Sequence, residues 1–241
     1  MERMYLLEKI VFCACFLTLI NGSNMPLLLR AELPPAPDTG TPPGKPTYGG
    51  TRPDAICQKT PQPLTALAAY NGRDLTVSSH PTFWFYMPYK PQDIRQLIFT
   101  IEDVQKGSIR TIYKSNVQLN QGSGIIQIPV LKQPEYALEV DKLYQWKLTV
   151  YCTTNATDDP GLVITGWVKR IPMNVDLNNQ LNTSKKADYL IYQDNQIWYD
   201  AINSLAERYF ADPDNPEVNN AWRNLLQVIN KESLSQEPLV K

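Results

Sequence analysis

The single histidine of this chain, His80, is the first place to look for acid–base chemistry, because imidazole titrates near neutral pH. It stands before Pro81 at the entrance to an apolar run, which is the setting of a turn residue. A Ser-His-Asp triad would have to rest on it alone. Gly122-Ser123-Gly124 sets a serine between glycines but lacks the G-x-S-x-G spacing and the strand-to-helix context of a nucleophile elbow. Asp212-Pro213-Asp214-Asn215-Pro216-Glu217 spaces its carboxylates somewhat like a calcium loop, yet it lacks the required glycine and puts proline at ligand positions. It reads as turn and capping chemistry. Glu102-Asp103 and Asp158-Asp159 are adjacent carboxylates, expected on loops. Two carboxyls that share glycoside hydrolysis must instead face each other some 5–9 Å apart. No residue is therefore assigned as catalytic, cofactor-binding or metal-ligating, and no cofactor is expected. Asn155-Ala156-Thr157 and Asn182-Thr183-Ser184 match glycosylation sequons, which only a eukaryotic secretory host would use.

Cysteine chemistry depends on compartment. Arg3 and Lys9 precede the apolar run at residues 10–20 (IVFCACFLTLI). That length suits the core of a secretory signal and is short for a membrane span of about 20 residues. Residues 1–31 are expected to be a signal peptide, cut after Gly22-Ser23 or near Ala31, with a retained anchor as the lesser alternative. Cys13 and Cys15 then leave with it. The remaining Cys57 and Cys152 are expected to form a disulfide, two buried free thiols being the alternative. With 23 basic and 24 acidic residues the net charge is −1, so there is no general field for nucleic acid or an anionic membrane. Residues 32–54 are rich in proline and glycine and read as an extended tether.

The elements that must position everything else begin with Pro81-Thr82-Phe83-Trp84-Phe85-Tyr86-Met87-Pro88. Prolines suit the ends of a strand, and alternation puts Phe83, Phe85 and Met87 on one face, with Trp84 and Tyr86 on the other. Such a strand reads as core more readily than as a ligand platform. Residues 97–101 form the next strand, closed by a polar turn through Glu102-Asp103, and residues 109–119 pair back on it. Gln121-Gly122-Ser123-Gly124 reads as a hairpin leading into residues 125–128. Tyr144, Trp146, Leu148, Val150 and Cys152 share one face of the clearest strand, and residues 163–171 form the last. Residues 55–172 are thus expected to be an antiparallel, immunoglobulin-like β-sandwich, with a distorted barrel as the alternative.

After Pro172 the period becomes helical, making the chain mainly β with an α C-terminal extension over residues 173–230. Thr183 or Ser184 is expected to cap a short helix ending at Tyr192. Asp194 or Asn195 should cap a second, carrying Trp198, Ala201, Ile202 and Leu205. Asn215-Pro216 starts a third, carrying Trp222, Leu225 and Leu226. The two longer helices form a hairpin packed on the sandwich, and residues 231–241 are expected to be a disordered tail. Phe83, Trp84, Phe85, Trp146, Trp198 and Trp222 are the expected core. Tyr199 and Asp200 are placed on the flank, where Asp200 is expected to pair with Arg170 and lock the hairpin down.

The blocks Pro81-Thr82-Phe83-Trp84-Phe85-Tyr86, Tyr144-Gln145-Trp146 and Ile197-Trp198-Tyr199-Asp200-Ala201, with Gly166-Trp167-Val168-Lys169-Arg170, resemble a family called domain of unknown function 928. The likeness covers roughly residues 50–230. It implies an exported cyanobacterial protein and carries over no catalytic residue. The functional expectation is a periplasmic or secreted, non-catalytic interaction module that binds an envelope protein or glycan. The alternative is an envelope hydrolase acting on polysaccharide or peptide. Neither nucleic acid nor an integral membrane span after signal cleavage is expected.

Overall fold

The structure, a computed structural model, describes residues 47–48, 57–69, 74–105, 108–120, 122–153 and 161–240. The expected signal peptide, most of the tether, Asp158-Asp159 and the sequon at Asn155 lie outside the described residues.

Two open sheets and four helices are stacked in layers. The first sheet contains β5 (Ile94–Gln105), β6 (Ser108–Asn116), β8 (Leu143–Cys152) and β9 (Leu162–Arg170), in the order β9-β8-β5-β6. Two short strands, β1 (Thr47–Tyr48) and β3 (Leu75–Thr76), also pair with β9. The second sheet runs β10-β7-β4-β2, with β2 at Thr65–Ala66, β4 at Thr82–Met87, β7 at Gly124–Pro129 and β10 at Leu239–Val240. Both sheets are mixed, which corrects the expectation of an antiparallel sandwich: β3 runs parallel to β9, and β10 parallel to β7. Thr47–Tyr48, expected in the tether, pairs with β9, and residues 232–240 are a 3-10 turn and a strand where a disordered tail was expected.

The aromatic strand β4 explains the layering. Phe83 and Phe85 face the first sheet, with ring centroids 4.9 Å and 6.0 Å from Phe99, and 6.3 Å and 5.4 Å from Trp146. Trp84 faces the opposite way, 6.1 Å from Phe210 and 6.5 Å from Trp222. A strand apolar on both faces needs a layer on each side, so the second sheet lies between the first sheet and the helices. The same logic corrects the hairpin expected at Gly122. In β7, Ile125, Ile126 and Ile128 are all buried, covering both faces, so the strand joins β4 in the middle layer, while β6 pairs with β5. The chain thus passes from β6 in the first sheet to β7 in the second.

The helical segment has four members: α1 (Val175–Thr183), α2 (Asp188–Asp194), α3 (Trp198–Ala211) and α4 (Pro216–Val228). Thr183 and Ser184, read as a start, end α1, whose own start is capped by Asn174 accepting from the Leu177 N–H at 2.7 Å. Ile197, not Asp194 or Asn195, occupies the position before α3. Asn215 caps α4 as its sequence demands, accepting from Glu217 and Val218.

Candidate functional site

The residues singled out for chemistry are placed by the structure in structural settings. His80 Nε2 lies 2.8 Å from the Gln133 carbonyl and Nδ1 lies 2.9 Å from Ser79 Oγ, so both ring nitrogens are occupied at a corner. Glu102 and Asp103 are not in a turn: β5 runs on to Gln105, and both are buried. Consecutive residues of a strand point to opposite faces, and their partners follow suit. Lys147 Nζ reaches Glu102 at 3.0 Å, whereas Lys142 Nζ reaches Asp103 at 2.8 Å, with Arg110 at 3.5 Å. The Lys142 hydrogen bond holds the Asp103 carboxyl below the ordinary carboxylate range. Two acids so arranged cannot work on one bond.

Trp198-Tyr199-Asp200 fastens the helices to the sheets. Trp198 Nε1 donates to the Leu67 carbonyl at 2.8 Å. Tyr199, expected on the flank, is buried between the layers: its hydroxyl donates to the Trp167 carbonyl at 2.8 Å and accepts from Trp146 Nε1 at 2.8 Å. The expected Asp200–Arg170 pair does not form. Asp200 Oδ2 accepts from the Val77 N–H at 3.1 Å, while Arg170 donates to the Val77 and Leu138 carbonyls at 3.4 Å and 2.6 Å. Both side chains grip the same stretch after β3, one by its N–H and one by its carbonyl, instead of each other. Burial pushes the Asp200 carboxyl up to about 6, partly offset by its hydrogen bonds to Thr76, Val77 and Ser78.

A cleft of about 750 Å³ opens where β5 begins and β6 ends, a size within the range of ligand sites. Its geometry comes from a β-bulge. Ile94 pairs with Cys152 and Gln96 with Tyr151, leaving Arg95 as the extra residue. The bulged Arg95 sets its guanidinium 5.8 Å from the centroid of the Tyr151 ring. Gln96 Nε2 donates to Asn116 Oδ1 at 3.2 Å, and each amide has a further polar group to offer. Leu97, Val117 and Leu119 supply the apolar part of the lining. The Cys57–Cys152 disulfide, with Cα atoms 5.6 Å apart, ties down the end of β8 next to Tyr151. Among the described lining residues there is no carboxylate, histidine or cysteine. What the cleft can do is hold a polar chain through amide hydrogen bonds and a flat ring.

The family model described as Domain of Unknown Function (DUF928) matches residues 47–239, which takes in strand and helix from β1 onward. The chain belongs to the DUF928 family. No curated protein matches it.

The match puts the layered fold and its bulged cleft within one DUF928 unit. Sequence reasoning missed the cleft because its residues come from three separated segments. Asn116 and Gln118 read as part of a weakly alternating strand and Arg95 as loop, and only the bulge and the β5–β8 register bring them beside Tyr151.

Proposed function

We propose that this DUF928 protein is an exported, non-catalytic binding module that takes an extended envelope polymer in the cleft at Tyr151. The observation that carries the reading is the composition of that cleft: a ring, an arginine and three amides, with no acid–base group among the described residues lining it. Export is supported by the apolar run at residues 10–20 and by the Cys57–Cys152 disulfide, a bond that persists in oxidising compartments. The hydrolase reading asks for two facing carboxyls. The buried acids Glu102 and Asp103 are instead held apart by separate lysines on opposite faces of the sheet.

One experiment separates the two readings. The protein is titrated by NMR with a digest of envelope oligosaccharides and peptides, and the digest is followed by mass spectrometry. Shifts clustered at Gln96, Asn116 and Tyr151 with the digest unchanged are the expected result. Progressive shortening of the oligomers would establish the hydrolase instead. Fractionation of cells expressing the full chain tests export: a shortened species in the envelope or medium is expected, and full-length protein confined to the cytosol overturns it.

A further inference from the structure

The cleft is one end of a longer surface. Along β8 the buried residues are Tyr144, Trp146, Leu148, Val150 and Cys152, so Gln145, Lys147, Thr149 and Tyr151 point away from the second sheet. In β9, Ile164, Gly166 and Val168 face in, so Thr165, Trp167 and Lys169 face out with them. The register assembles transverse rows on this outer face. Gln96 lies beside Tyr151; then Asn116, Ile98, Thr149 and Val163; then Lys114, Thr100, Lys147 and Thr165; then Thr111, Glu102, Gln145 and Trp167. Tyr151 lies six steps along β8 from Gln145, the partner of Trp167, a span of about 20 Å at strand rise. Helices α3 and α4 pack on the other sheet, against Trp84.

We infer that this outer face continues the cleft as a binding track for an acidic polysaccharide, running from Tyr151 and Arg95 to Trp167. The inference rests on the proposed binding role of the cleft. Charge complementarity selects the occupant. Lys114, Lys147 and Lys169 stand on the face against one carboxylate, Glu102, which Lys147 already holds. Lys114 and Lys169 take part in no salt bridge among the described residues. A positive strip on a chain of net charge −1 attracts anions locally. Between the two rings lie the hydroxyls of Thr149 and Thr165. Flat rings at both ends, with hydroxyls, amides and ammonium groups between, match the ring faces, hydroxyls and carboxylates of a sugar-acid chain. An acidic peptide would more naturally add to a sheet edge. The β6 edge, with Arg110 and Lys114, carries the charged side chains that keep such edges from pairing.

The test titrates the purified exported protein with oligogalacturonate, a neutral gluco-oligosaccharide of equal length, and poly-glutamate. Oligogalacturonate should bind, with affinity that falls as salt is added, and the other two should bind at least about tenfold more weakly. Trp167→Ala should weaken binding about tenfold, Trp167→Phe should restore most of it, and Lys169→Gln should reduce the salt dependence. Unchanged melting temperatures check that the variants fold. Equal binding of the neutral oligomer, tighter binding of poly-glutamate, or no binding of oligogalacturonate would overturn the inference. If Tyr151→Ala abolishes binding while Trp167→Ala and Lys169→Gln do nothing, the track is wrong and the cleft alone stands. If ligand binds undisturbed by any of these changes, both fail.

Discussion

Burial raises the Asp200 carboxyl to about 6, whereas the Lys142 hydrogen bond lowers that of Asp103, so the two respond to acid in opposite ways. The folded state holds the Asp200 proton more tightly than the unfolded chain does. The associated stability is therefore complete below the ordinary aspartate value of 3.8 and is lost as pH rises through about 6. At about 1.4 kcal/mol per unit the swing is at most about 3 kcal/mol, and partial contact with water reduces it. Asp103 contributes stability above its unfolded pKa and loses it only as pH falls through its lowered value. Urea unfolding of wild type and Asp200→Asn between pH 4 and 7 should thus differ in slope. The variant should lack the decline, since an asparagine oxygen can still accept from Val77. Asp200→Ala should cost about 1–3 kcal/mol, because it strips the acceptor from the Val77 N–H. The place of Asp200 at the start of α3 was legible in the sequence. Its partner was not, because a backbone N–H after β3 leaves no mark in the sequence.

Among the elements, β8 and β9 show how little room the core leaves. Gly166 faces Trp146 across the pair, and a methyl there would overlap the indole ring. Gly166→Ala should therefore destabilise the protein by about 1–3 kcal/mol by overpacking, measured as a lower denaturation midpoint with unchanged m-value. Strong local patterns made several elements readable: the alternation along β8, the proline-bounded β4 and the Asn215-Pro216 start of α4. Helix α1 was missed because its only buried residue is Leu177, which leaves no periodic stripe. Which sheet a strand joins was equally illegible. The paths of β7 and β10 are settled by distant partners, and the face from Tyr151 to Trp167 exists only once the register of four strands is fixed.

For the whole molecule, the disulfide closes a loop 95 residues long between the first described core residue and the end of β8. In the chain-entropy model such a closure stabilises by up to about 4–5 kcal/mol. Replacing both cysteines by serine should lower unfolding free energy by roughly 2–4 kcal/mol, and reductant should destabilise the wild type but leave the double variant unmoved. Layering has an optical consequence as well. Of the five tryptophans, Trp84, Trp146, Trp198 and Trp222 are buried at 5% exposure or less, and water reaches only Trp167. Emission quenched by iodide in the native state should therefore come from this one indole, and Trp167→Phe should remove it. The surface inferred to carry the polymer thus holds its own fluorophore, and a ligand that covers it should shield that emission from iodide without any label attached.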